Sequence, residues 1–219
     1  MDTLYVDQWL LIVNKPSGFL SIQDGYDLQL PHIRNLLEPE YDRCWIVHRL
    51  DKETSGAIVV ARTKESHRAL SLLFEKREIL KSYRAVVEGI LSENKTEIDL
   101  PIRINGDRKH RTVIDQVKGK TASTSIEFIS KYEDYSLVSA FPHTGYTHQI
   151  RAHLAYIKHP ILGDSLYNLH PKDNAFDQII NRLALHSYSL EFIHPFTIKT
   201  LKVIAPFPES LLPLLTLFK

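Results

Sequence analysis

Nine polar-rich residues, His48-Arg49-Leu50-Asp51-Lys52-Glu53-Thr54-Ser55-Gly56, run without a break into Ala57-Ile58-Val59-Val60-Ala61. A short run that is apolar and β-branched reads as a buried strand, and it anchors the polar loop before it. Rigid support for a polar loop is what a catalytic site needs. If the loop is extended, Arg49 and Asp51 are two apart and share one side, with His48 and Leu50 opposite. Composition alone leaves a second interpretation open, a plain turn leading into a strand.

The remaining totals restrict what such a loop can serve. A chain of 219 residues is enough for one large domain, or one domain with two lobes, around a substantial core. Hydrophobic residues make up 43% and charged residues 24%, an ordinary globular balance. The formal net charge is +1, so attraction to a polyanion has to come from local basic patches. Cys44 is the single cysteine, which excludes an internal disulfide and a cysteine metal cluster and fits a reducing compartment. No basic-then-apolar leader opens the chain and no long uncharged apolar run follows, so a cytoplasmic protein without a membrane segment is expected.

In chain order, Trp9 to Val13 is a strand closed by the turn Asn14-Lys15-Pro16-Ser17-Gly18. Pro31 opens a short helix with Ile33, Leu36 and Leu37 on one face, ended by Glu38-Pro39-Glu40. Thr63 caps a second helix in which Leu70, Leu73, Phe74 and Arg77 fall at helical spacing. Lys81 to Gly89 alternates as a strand, with Lys81, Tyr83, Ala85 and Val87 on one face. Ile98 to Ile104, Ser123 to Ile129, Tyr135 to Phe141 and Thr200 to Ile204 read as further strands. Between the first two of these, Arg103, Arg108, Lys109, Arg111, Lys118 and Lys120 outnumber Asp107 and Asp115, which suits either a phosphate-touching hairpin or a solvated loop. Thr147 is placed to cap a helix carrying Ile150, Leu154 and Ile157 inward. Phe176, Ile179, Ile180 and Leu183 mark one more helix, and Pro208 opens a closing one.

Several of these segments carry one family's motifs in the right order. His48-Arg49-Leu50-Asp51-x-x-Thr54-Ser55-Gly56 resembles the signature of the RluA-type pseudouridine synthases, which isomerise uridine in structured RNA. Val13 to Gly18 resembles the opening of their catalytic domain. Lys81-x-Tyr83-x-Ala85-x-Val87-x-Gly89 and Gly145-x-Thr147-His148-Gln149-Ile150-Arg151-x-His153-Leu154 resemble the second and third motifs. His159 to Tyr167 and Leu185 to Pro195 are also family-like. Tyr146 departs from the pattern, since relatives commonly have arginine there.

The resemblance implies a catalytic set of Asp51, Tyr83 and Arg151. Asp51 would be the acting carboxylate, Arg151 the cation that keeps it ionised and aimed, and Tyr83 an active-site phenol. Arg49 would fill the space left by an extruded base, and His48, Lys81, Thr147, His148 and Gln149 would face substrate or RNA. It implies one catalytic domain over residues 1–219, in one body or two lobes around an RNA cleft, with no accessory RNA-binding domain ahead of it. The expected fold is α+β, a mixed, mostly antiparallel central sheet with flanking helices. The expected partner is a stem-loop of ribosomal or transfer RNA, the expected state a monomer, and no cofactor is called for.

Other chemistries lack their residues. His143, His148 and His153 recur every five positions, a step of roughly 140° on a helix, which spreads them around the cylinder. There is no His-Glu-x-x-His, no Gly-x-Ser-x-Gly and no Gly-x-x-x-x-Gly-Lys run. Asp164, after Gly163, reads as a turn residue more readily than as a second catalytic acid. The alternative from another class is an RNA-binding or chaperone-like module on the same scaffold, without turnover.

Overall fold

The computed structural model describes residues 1–168 and 180–218. They form two compact units, residues 1–81 with 186–208 and residues 82–185 with 209–219. The helix expected around Phe176 to Leu183 lies largely outside the described residues.

The first unit is built on β4 (Ser55–Ala61), every residue of which is buried. Along one edge it pairs antiparallel with β2 (Leu10–Lys15), from Leu10 opposite Ala61 to Lys15 opposite Gly56. β1 (Thr3–Val6) continues the sheet beyond β2. The other edge takes β3 (Trp45–Ile46) at the far end and, in parallel, the start of β11 (Leu185–Ile193), His186 opposite Ser55. β12 (Thr200–Ile204) returns antiparallel along β11. The apolar run that sequence makes a strand is thus held on both edges. α2 (Lys64–Glu75) packs Leu70, Leu73 and Phe74 onto this sheet with Leu10, Ile12 and Val59. Its start is a capping box in which Thr63 and Ser66 exchange side-chain and backbone hydrogen bonds.

α1 departs from expectation. It spans Ile33–Tyr41 and runs through Pro39, with Ile33 and Leu37 buried and Leu36 exposed. Pro39 sits in the last turn of a nine-residue helix, where its missing N–H costs one hydrogen bond.

The second unit is built on an antiparallel sheet in the order β5 (Leu80–Glu88), β10 (Tyr135–Pro142), β9 (Ser123–Tyr132) and β6 (Lys95–Asp99). Tyr83 stands opposite Ala140. Val87, Ile126, Val138, Leu154, Ile161 and Leu162 fill its core. The strand expected over Ile98 to Ile104 breaks at Leu100-Pro101. Its second half becomes β7 (Ile102–Arg103), which pairs with β8 (Val113–Ile114) in a separate ribbon. α3 spans Gln149–Tyr156, and its N-cap is His148, in the left-handed region at φ 55° with no side-chain cap bond. Thr147 is therefore not the cap. A short closing helix, α4 (Leu212–Leu215), buries Leu214. With the parallel pairing of β4 and β11 set in a mostly antiparallel arrangement, the expected α+β class holds.

Candidate active site

The first unit carries Asp51, Arg49, His48 and Lys81. Asp51 is half-buried in the loop between β3 and β4, and its main-chain carbonyl accepts from Thr54 N–H at 3.1 Å. The turn after β2 pins this loop at successive points. Ser21 Oγ bridges both main-chain groups of Leu50 at 2.9 Å, Gly18 N–H donates to Lys52 O at 2.9 Å, and Ser17 Oγ donates to Glu53 O at 2.8 Å. Lys15 completes the clamp. It is 0% exposed, and Nζ donates to the carbonyls of Pro16, Phe19 and Lys52 at 2.9, 2.8 and 3.1 Å. Those contacts match the three N–H groups of an ammonium. The polar loop is a rigid object because the peptide groups on either side of Asp51 are bound.

His48 holds the same loop from behind. Its Nε2 accepts Val59 N–H at 3.0 Å, in the place a backbone carbonyl would take beside β4, and its ring stacks on Phe74 with centroids 4.3 Å apart. Burial, and then the nearby Lys81 ammonium, push its pKa down to about 3, so it is a neutral acceptor. An imidazole whose Nε2 is spent on the backbone is a support and not an RNA ligand through that nitrogen. Burial also lowers the pKa of Lys81, with Arg77 adding to the effect. Arg49, next but one to Asp51, is exposed and in no ion pair among the described residues.

The second unit carries Tyr83, Thr147, His148, Gln149 and Arg151. Tyr83 is half-buried on β5 and packs against that unit's core. Gln149, at the start of α3, is 3% exposed and fully engaged. Its Oε1 accepts from Thr144 Oγ1 at 2.7 Å and from Tyr146 N–H at 3.2 Å, while Nε2 donates to Ser123 O and Thr124 Oγ1, both at 2.9 Å. An amide with all of its groups satisfied inside the unit ties α3 to the ends of β9 and β10. Thr147 contributes its carbonyl, which accepts from Thr112 Oγ1 at 2.7 Å.

Arg151 forks onto Asp164. Nε donates to Oδ2 and Nη2 to Oδ1, each at 2.8 Å, and the Asp164 side chain is 0% exposed. Oδ1 also accepts the N–H groups of Leu166 and Tyr167 at 3.1 Å, so the turn role expected of Asp164 is real and is only half of what it does. Its pairing with Arg151 is invisible to sequence, because the partners are thirteen residues apart on different elements.

His153 is buried between Thr124 Oγ1 and Leu100 O, each at 3.0 Å, and burial lowers its pKa. Among the described residues no three His, Cys, Asp or Glu side chains group as metal ligands would, and no helix is long and apolar enough to cross a membrane.

Residues 9–156, which contain the clamp, the Asp51 loop, Tyr83 and Arg151, match the family model described as RNA pseudouridylate synthase. The chain belongs to the RNA pseudouridylate synthase family. The dual-specificity RNA pseudouridine synthase RluA of Haemophilus influenzae is 36% identical over 202 residues, 92% of this chain and 90% of that one. The ribosomal large subunit pseudouridine synthase C of Buchnera aphidicola is 36% identical over 210 residues, 93% of this chain and 66% of its own length. Among solved structures, human RNA pseudouridylate synthase domain containing 1 superposes with a TM-score of 0.81 at 27% identity, covering 100% of this chain and 87% of that one. The resemblance read from the motifs to the RluA-type enzymes is borne out, and an isomerase acting on RNA stands over the non-catalytic alternative.

Proposed function

We propose that the chain isomerises specific uridines in a stem-loop of ribosomal or transfer RNA, with Asp51 as the acting carboxylate. The reaction breaks the bond from C1′ to N1, turns the base and joins C1′ to C5. A proton leaves C5 and one arrives at N1, so there is no net oxidation or hydrolysis and no cofactor is required. An ionised carboxylate attacks the nucleoside or stabilises positive charge on the sugar while the base departs. Arg151 keeps that carboxylate charged and directed. Tyr83 packs against the extruded base and relays the proton. Arg49, exposed and in no ion pair among the described residues, enters the space the base leaves, since a stacked uridine has to be turned out before it can react.

What chiefly supports this is the clamp on the Asp51 loop. Fixing a half-buried carboxylate through its neighbours' peptide groups is preorganisation, which RNA binding alone does not require. Action as a monomer in the cytoplasm completes the proposal.

The test is chemical mapping of pseudouridine across the transcriptome in cells with and without the protein. The expected outcome is loss of discrete sites, restored by the parent and not by Asp51→Asn, while Asp51→Asn still binds the same RNA within a few-fold. Restoration by the variant would remove Asp51 from the chemistry.

A further inference from the structure

Tyr167 is held through its N–H, its hydroxyl and its ring. Its N–H donates to Asp164 Oδ1 at 3.1 Å. Its hydroxyl accepts Thr112 N–H at 2.8 Å and shares a hydrogen bond of 3.2 Å with His148 Nδ1. The His148 ring stands edge-on to it at 88°, with centroids 5.7 Å apart. Burial raises its pKa to about 12, so the phenol stays neutral. The ring held this way lies under the Arg151 guanidinium, whose Cζ is 5.0 Å from the ring centroid. Arg151 is thus held in two ways that do not overlap, by Asp164 along one edge in the guanidinium plane and by Tyr167 across one face. Together they restrict both the plane and the direction of the guanidinium.

We propose that Tyr167 is a positioning residue for Arg151, a platform that, together with Asp164, fixes how the guanidinium lies. This rests on the isomerase function proposed above. The platform also reaches the root of the β7–β8 ribbon, because Thr112 binds Tyr167 through its N–H and Thr147 through its hydroxyl, and Arg111 Nη1 donates to Leu166 O at 3.2 Å. A platform shared by the ribbon root and the arginine makes the arginine's aim depend on that root.

The experiment is a double-mutant cycle on single-turnover rate and RNA affinity, with thermal unfolding to verify folding. Tyr167→Leu removes the face and the hydroxyl; Tyr167→Phe keeps the face. The expected result is a rate loss on the order of tenfold for Tyr167→Leu, less for Tyr167→Phe, with RNA Kd within about twofold of the parent. In an Arg151→Lys background Tyr167→Leu should cost less than about twofold more, because a residue that acts through the arginine has nothing left to position. Equal losses in both backgrounds would overturn the proposal. A second readout needs no RNA: the Arg151 Nε–H resonance should be protected from exchange in the parent and lose protection in Tyr167→Leu. An unmoved resonance in a folded variant overturns the positioning role whatever the activity. A resonance that responds, in a parent that turns over no RNA, supports the positioning role and counts against the isomerase proposal alone.

Discussion

A histidine that accepts a hydrogen bond from the main chain can be protonated only by breaking it. His48 is in that position, with Nε2 on Val59 N–H, Phe74 over its ring and the Lys81 ammonium nearby. Its folded pKa, about 3, is below the value of about 6.5 it has once unfolded. Between those values the unfolded chain binds more protons, so this residue's contribution to stability is complete above pH 6.5 and is lost as the pH falls. By pH 4 the loss is on the order of 3 kcal/mol. In His48→Gln an amide oxygen can still accept from Val59 without titrating. Chemical denaturation at a series of pH values should show the parent's stability falling more steeply than the variant's from pH 6.5 to 4. Other titrating groups, His153 among them, are common to both proteins. Parallel curves would mean that His48 is solvated and protonates freely.

At the scale of elements, what could be read from sequence was whatever a local pattern states. The branched run Ala57 to Ala61 became a strand buried on both sides, and Thr63 became a cap, because burial and capping depend on neighbours in the chain. Lys15 reads from sequence as part of a turn, since nothing local shows that its ammonium ends among three carbonyls, one of them 37 residues away. Sequence places the cap at Thr147, one residue early, because His148 takes the left-handed conformation that admits the chain to α3. Gly56 is the reverse case, a motif glycine whose reason appears only in three dimensions. It stands opposite Ser187 where β4 and β11 run parallel, at φ +115°, and a Cβ there would lie 2.2 Å from Ser187 O. Backbone cannot yield as a side chain does. Gly56→Ala should therefore destabilise the protein by more than about 4 kcal/mol, or prevent folding, through a clash and a forbidden φ together. A variant within about 1 kcal/mol of the parent in a denaturant titration would show that the two strands are farther apart than this register requires.

For the whole molecule, a formal net charge of +1 sets how RNA can be held. There is little global field to draw in a polyanion, so affinity depends on where unmatched cations lie. In and around the β7–β8 ribbon, Arg103 pairs with Asp115 at 2.6 Å and Arg111 with Asp107 at 2.7 Å. Arg108, Lys109, Lys118 and Lys120 are exposed and in no ion pair among the described residues. This favours the phosphate-touching hairpin over the solvated loop, because internal pairing has stiffened the ribbon and left its other cations outward. Each phosphate contact contributes a slope of about −0.7 to −0.9 to log K against log salt. Changing all four to Gln takes the formal net charge from +1 to −3 and should flatten that slope by about three. Removing four exposed cations elsewhere, Lys64, Arg68, Lys76 and Lys131, makes the same change in net charge and provides the control. If the ribbon touches phosphate, the first variant loses the slope and the control keeps most of it, because counterions are released where contact is made. If both flatten alike, RNA responds only to total charge, and the ribbon is a solvated loop.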